Sequence, residues 1–153
     1  MIGFRFATAF GISPRLRLDL MPNDFVFQAL RVGNLIVYQK DVRRTFVHVT
    51  DMARAFIHAI ENYDRMKNEI YNVGDESMNA TKEDVANLVK KYVKFYLHFA
   101  EIGTDPDMRD YEVSYQKMRS TGYQTQVSLD EGIQEIVSAL KLVKQENPYS
   151  NVM

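Results

Sequence analysis

Residues 41–56, DVRRTFVHVTDMARAF, place two adjacent cations ahead of an apolar run that passes straight into a helical pattern. RTFVHV, with its β-branched and aromatic content, reads as a short strand. Thr50 stands where it can cap the helix that follows, and Asp51 falls in the first turn, facing the positive end of the helix dipole. Met52, Ala55, Phe56, Ala59 and Ile60 keep helical spacing and predict one buried stripe. An ordinary strand entering a core has little use for paired arginines at its mouth. Their partner is the functional question this stretch raises.

Working outward, residues 2–11 (IGFRFATAFG) form an apolar, aromatic run stopped by Gly11 and then by Ser13-Pro14. Such a run reads as a strand buried on both faces, the kind found in parallel sheets. NDFVFQALRVG reads as a helix capped by Asn23 after Pro22 and closed by Gly33. NLIVYQK is a second strand, and EIYNVGD another that ends at Gly74. Thr81 and Asp84 form a capping box opening a helix whose apolar face is Val85, Leu88, Val89, Tyr92 and Val93. KFYLHFAEI alternates Phe95, Leu97 and Phe99 as a strand would, and TDPDMRDY is a turn-rich acidic loop holding Arg109. A Ser128-x-x-Glu131 box starts the last helix, with Leu129, Ile133, Ile136, Val137 and Leu140 inward, and NPYSNVM is expected to fray. Strands alternating with helices predict an α/β domain containing part of a parallel sheet.

The bulk properties bound the function. A chain of 153 residues is one domain by length, and 46% hydrophobic with 25% charged residues is a globular balance. With 19 basic against 20 acidic side chains the net charge is -1, which argues against general affinity for nucleic acid. No cysteine is present, so disulfides, thiolate metal sites and cysteine nucleophiles are excluded. No apolar stretch is long enough to cross a bilayer and the start does not read as a signal peptide, so a cytoplasmic location without membrane contact is expected.

Few residues invite chemistry. Arg43 and Arg44 are either a solvated pair or an anion clamp, because a guanidinium can hold two phosphate oxygens at once. Asn23 is a helix cap by position, and a helix N-terminus beside its amide is also a place for a phosphate. Arg109 sits among Asp105, Asp107 and Asp110, where a local ion pair is the plain alternative. His48, His58 and His98 lack metal-ligand spacing, and the carboxylates show no acid–base pairing. G-x-G-x-x-G, Walker and G-x-S-x-G motifs do not occur.

Five ordered blocks, RFATAFG, SPRLRLDLMPNDFVFQAL, RRTFVHVTDMARAF, IYNVGDE and DPDMRDYEVSYQKMRSTGYQTQVSLDEGIQEI, cover almost the whole chain. In that order and spacing they resemble the extended short-chain dehydrogenase/reductase family, and within it the NAD-dependent epimerase/dehydratases acting on nucleotide sugars. The resemblance implies the last strands of a Rossmann-type parallel sheet plus the small C-terminal substrate-binding domain. It implies that Arg44 holds the substrate diphosphate, that Asn23 contacts the same group, and that Arg109 is a second diphosphate arginine. Val37 and Tyr38 fall where the family packs the nucleotide base, and Ala7 where the backbone approaches the nicotinamide of NAD. Thr8 stands where related enzymes often carry a substrate-binding asparagine.

The family's glycine-rich turn, catalytic Ser/Thr and Tyr-x-x-x-Lys belong before RFATAFG. Tyr63-Asp64-Arg65-Met66-Lys67 matches the last motif in letters but lies on the wrong side of that strand, and among nine tyrosines it reads as coincidence. Residues 1–153 are therefore expected to form a single partial domain, the C-terminal half of an epimerase or dehydratase without its N-terminal NAD-binding half. Such a half is expected to bind a nucleotide diphosphate sugar, to be inactive alone, and to associate with itself or with a separate N-terminal half. The alternative is a non-catalytic binding or scaffold module that retains the fold.

Overall fold

The computed structural model describes residues 1–14, 16–101, 103 and 110–142. The chain runs through β1 (Gly3–Phe6), β2 (Thr8–Phe10), α1 (Met21–Arg31), β3 (Asn34–Tyr38), β4 (Arg43–His48) and α2 (Val49–Glu61). It continues through α3 (Tyr63–Met66), β5 (Ile70–Val73), a 3-10 turn (Glu76–Met78), β6 (Asn79–Thr81), α4 (Lys82–Tyr92), β7 (Tyr96–Ala100), α5 (Gln116–Arg119) and α6 (Leu129–Leu142). β1 pairs parallel with β5, β2 with β4 and β3 with β7, while β4 and β6 are antiparallel. The parallel ladders between strands linked through helices make this an α/β fold of Rossmann type.

The first apolar run differs from the expected single buried strand. It divides at Ala7, whose N–H turns to the carbonyl of Val73 at 3.1 Å. β1 then follows β5 and β2 follows β4, so one continuous chain serves two ladders. β1 is only half-buried, with Arg5 exposed. Its Phe4 and Phe6 side chains pack on one flank of the core and against Phe56.

Two helix starts also move. α1 begins at Met21 with Leu20 as its N-cap and Pro22 in the first turn, where a missing N–H costs nothing. Asn23 lies inside that helix and is no cap, because its side chain is drawn into the loop before it. α2 begins at Val49, one residue before the expected cap Thr50. His48 takes the capping position, its Nδ1 accepting the N–H of Thr50 at 3.3 Å. The end of α1 is as expected: Gly33, with φ of +76°, returns its N–H to Gln28 at 3.0 Å.

The main core lies between β2–β4–β6 and helices α1, α4 and α6. Phe10, Val26, Phe46, Val85, Val89, Ile133 and Ile136 are buried there. All five residues expected inward on α6 are buried, and both predicted capping boxes form. A second core gathers Val47, Ala55, Ala59, Tyr71, Val73 and Met118. On α2 the expected stripe is only partly covered: Ala55 and Ala59 are buried, yet Phe56 is 52% and Ile60 77% exposed. Small residues let the helix sit close on β4, while on its larger apolar flank Phe56 meets the rings of Phe4 and Phe6.

Candidate functional site

The two arginines of the opening stretch have different fates because adjacent strand residues point to opposite faces. Arg43 is exposed; its guanidinium pairs with Glu112 and its N–H donates to Asp110 Oδ1 at 2.9 Å. Arg44 is 4% exposed and turns into a cleft. The expectation that the pair acts together at one anion is thus corrected: Arg44 alone faces inward.

That cleft encloses about 420 Å³, within the range of small-molecule sites. β2 contributes Thr8, the start of α1 contributes Met21, Asp24 and Phe25, and β3 contributes Ile36, Val37 and Tyr38. β4 adds Arg44 and Phe46 to its wall, and α4 adds Lys82. Arg44 donates through Nη1 to the carbonyl of Arg43 at 2.8 Å, and its guanidinium lies 5.9 Å from the Tyr111 ring centroid. Lys82, only 3% exposed, donates from Nζ to the carbonyl of Tyr38 at 3.1 Å. These two buried cations share the wall with the carboxylates of Asp19 and Asp24 and with apolar and aromatic surface. An anion carrying a flat ring suits such a wall.

The carboxylates of the wall behave differently. Asp19 is exposed and held by Arg17 through hydrogen bonds of 2.6 and 3.1 Å, a pairing that lowers its pKa. Asp24 is half-buried and its Oδ1 accepts from Gln28 Nε2 at 3.3 Å. Burial raises its pKa above the ordinary carboxylate value, the Gln28 hydrogen bond opposing and the charge of Asp19 adding.

The structure thus brings Thr8, Val37, Tyr38 and Arg44 to one cleft. Asn23 is 2% exposed and off the wall; its Oδ1 accepts from the N–H of Gly11 at 3.2 Å and its Nδ2 donates to the carbonyl of Arg17 at 2.8 Å. It pins the loop between β2 and α1. Ala7 is half-buried at the break between β1 and β2, its N–H engaged by Val73. Arg109 lies outside the described residues. Asp24, Lys82 and Tyr111 were not singled out from the sequence. Lys82 follows a helix cap and reads as surface, and only the β4–β6 pairing carries it to the cleft.

Next along β4, Thr45 and Tyr115 share a buried hydrogen bond. Burial pushes the Tyr115 phenol up to about 12 against that bond. Gly74 permits the ring to lie there, since a Cβ would come within 2.6 Å of its Cζ. Tyr63 is half exposed on α3, and Lys67 Nζ binds Asp64 Oδ1 at 2.9 Å, so neither residue reaches the cleft. Among the described residues no cluster of His, Asp or Glu is placed to hold a metal ion, and no helix is long and apolar enough to cross a membrane.

Residues 1–74 match the model of the NAD dependent epimerase/dehydratase family. Among solved structures, a UDP-glucose 4-epimerase of Thermus thermophilus, in complex with NAD, is similar at TM-score 0.72 and 20% identity, over 92% of this chain and 46% of that one. UDP-N-acetylglucosamine 4-epimerase from Bacillus cereus gives 0.73 and 20%, over 97% and 48%. dTDP-glucose 4,6-dehydratase from Bacillus anthracis, also with NAD, gives 0.70 and 21%, over 92% and 44%. The present chain therefore spans less than half the length of the enzymes whose fold it shares.

Proposed function

Since residues 1–74 match the model of the NAD dependent epimerase/dehydratase family, we propose that this chain is the part of such an enzyme that grips a nucleotide diphosphate sugar. The observation that carries the reading is Arg44. A guanidinium that is 4% exposed yet lines a cleft is positioned for an anion, and the backbone carbonyl of Arg43 fixes its direction. In this reading Arg44 holds the diphosphate and Lys82 adds charge from the opposite element. Val37 and Tyr38 pack the base, and Thr8 faces the sugar. Asn23 acts through the loop it pins, and Arg109 supplies a second diphosphate contact.

NAD supplies a transient hydride acceptor in this family's chemistry. The residues present do not fit a whole NAD site: no glycine-rich turn occurs, and the N–H of Ala7 is already engaged by Val73. No hydride step is assigned to these 153 residues, and alone they are inactive in this reading. The NAD-binding half lies outside these 153 residues in this reading, and β1 with the exposed flank of α2 is where it, or a second copy, packs.

Titration calorimetry with UDP, GDP, CDP and dTDP tests the proposal. At least one binds, and Arg44→Ala weakens it by about 1.5–3 kcal/mol, the worth of a charge-assisted contact. Absence of binding by all four overturns the proposal and favours a scaffold module. Turnover of any nucleotide sugar with NAD by this chain alone overturns the inactivity.

A further inference from the structure

The wall that would face the base carries information about which base it is, on the reading of this cleft as a nucleoside diphosphate site. Beside Phe25, Ile36 and Tyr38, the ionisable group not tied to a cation is Asp24. Asp19 is exposed and committed to Arg17. Asp24 is half-buried; one oxygen takes a single long hydrogen bond from Gln28, and the other accepts from no described residue. An ionised carboxylate only accepts, so this oxygen pair asks for adjacent donors on the ligand.

The bases differ in what they offer. Uracil and thymine present one ring N–H flanked by two carbonyl oxygens, which oppose a carboxylate. Cytosine and adenine present one amine beside a ring nitrogen lone pair, again a partial mismatch. Guanine alone presents a ring N–H next to an exocyclic amine, two parallel donors at the spacing of a carboxylate's oxygens. We propose that the cleft selects guanine nucleoside diphosphates, with Asp24 accepting from N1–H and the 2-amino group. A half-buried carboxylate left facing a carbonyl edge loses its solvent without gaining a partner, so the wrong base is rejected as well as the right one held.

The test is titration calorimetry of the 153-residue protein with GDP, IDP, CDP, ADP, UDP and dTDP, on the wild type and on Asp24→Asn and Arg44→Ala. GDP is expected to bind about tenfold or more tighter than UDP and dTDP. IDP, which lacks only the 2-amino group, should fall between them. Asp24→Asn should erase most of the preference without weakening UDP. The IDP comparison uses the wild type, so it stands even if the variant folds poorly. Equal affinities, or preference for another base, with Arg44→Ala weakening all of them, overturn the guanine assignment and leave the diphosphate reading intact. No binding by any diphosphate, or binding indifferent to Arg44→Ala, overturns both.

Discussion

Gly132 illustrates how closely single residues are set in this fold. It lies on α6 where that helix crosses the end of β2, and a Cβ there would come 2.4 Å from Phe10 Cε2 and 3.1 Å from His48 Cδ2. Phe10 is 1% exposed and His48 1%, so neither ring can step aside into solvent. Gly132→Ala gains helix propensity worth under about 1 kcal/mol but overpacks the core by about 1–3 kcal/mol. A net loss of about 1–2 kcal/mol in urea unfolding is expected, and equal or greater stability would refute the tight crossing. Arg43 and Arg44 teach the same lesson for charge. Their letters are identical, and only strand alternation makes one a surface ion pair and the other a cleft residue.

At the scale of elements, the start of α2 is held from outside the helix. Asp51 is fully buried, and its carboxylate accepts from the N–H of Gln126 at 3.1 Å, of Val127 at 3.0 Å and from Arg54 at 2.9 Å. The hydroxyl of Tyr123 donates to the Asp51 carbonyl at 2.7 Å, and burial raises the pKa of that phenol further, with the nearby Asp51 charge adding. The sequence placed Asp51 at a dipole, whereas its larger task is to dock residues 123–127 ahead of α6. Asp51→Ala leaves the part-buried N–H groups of Gln126 and Val127 and the Arg54 guanidinium without their acceptor and is expected to lower stability by about 2 kcal/mol, read as a fall in the urea midpoint. A loss under about 1 kcal/mol would refute the anchoring role. Local signals were legible throughout: both capping boxes, the closing glycine of α1 and the inward face of α6 follow from neighbours in sequence. What was hidden depends on distant partners. Asn23 has the letter and place of a cap, but Gly11 and Arg17 claim its amide. His48 became a cap because the strand ends one residue early. In the cleft, Arg44, Thr8, Val37 and Tyr38 were readable through the family resemblance, while Asp24 and Lys82 reach it only through tertiary packing.

One face of the whole molecule exposes apolar side chains. Phe56, Ile57 and Ile60 are each more than half exposed, and Phe56 contacts the half-buried rings of Phe4 and Phe6 with centroids 5.3 and 5.5 Å apart. β1 has β5 on one edge and no strand on the other among the described residues. An open edge beside apolar rings favours association. Light scattering is expected to give a mass that rises with concentration, and Phe56→Glu with Ile60→Glu should hold the protein nearer its monomer mass. A monodisperse monomer at high concentration would refute this.

The division of the first strand at Ala7 ties that side to the cleft. A chain that changes neighbours midway acts as a splice, so Phe6 and Thr8 answer to different ladders while sharing one short backbone link. Any body that seats against the aromatic flank at Phe6 therefore lies two positions along the chain from Thr8 of the cleft wall.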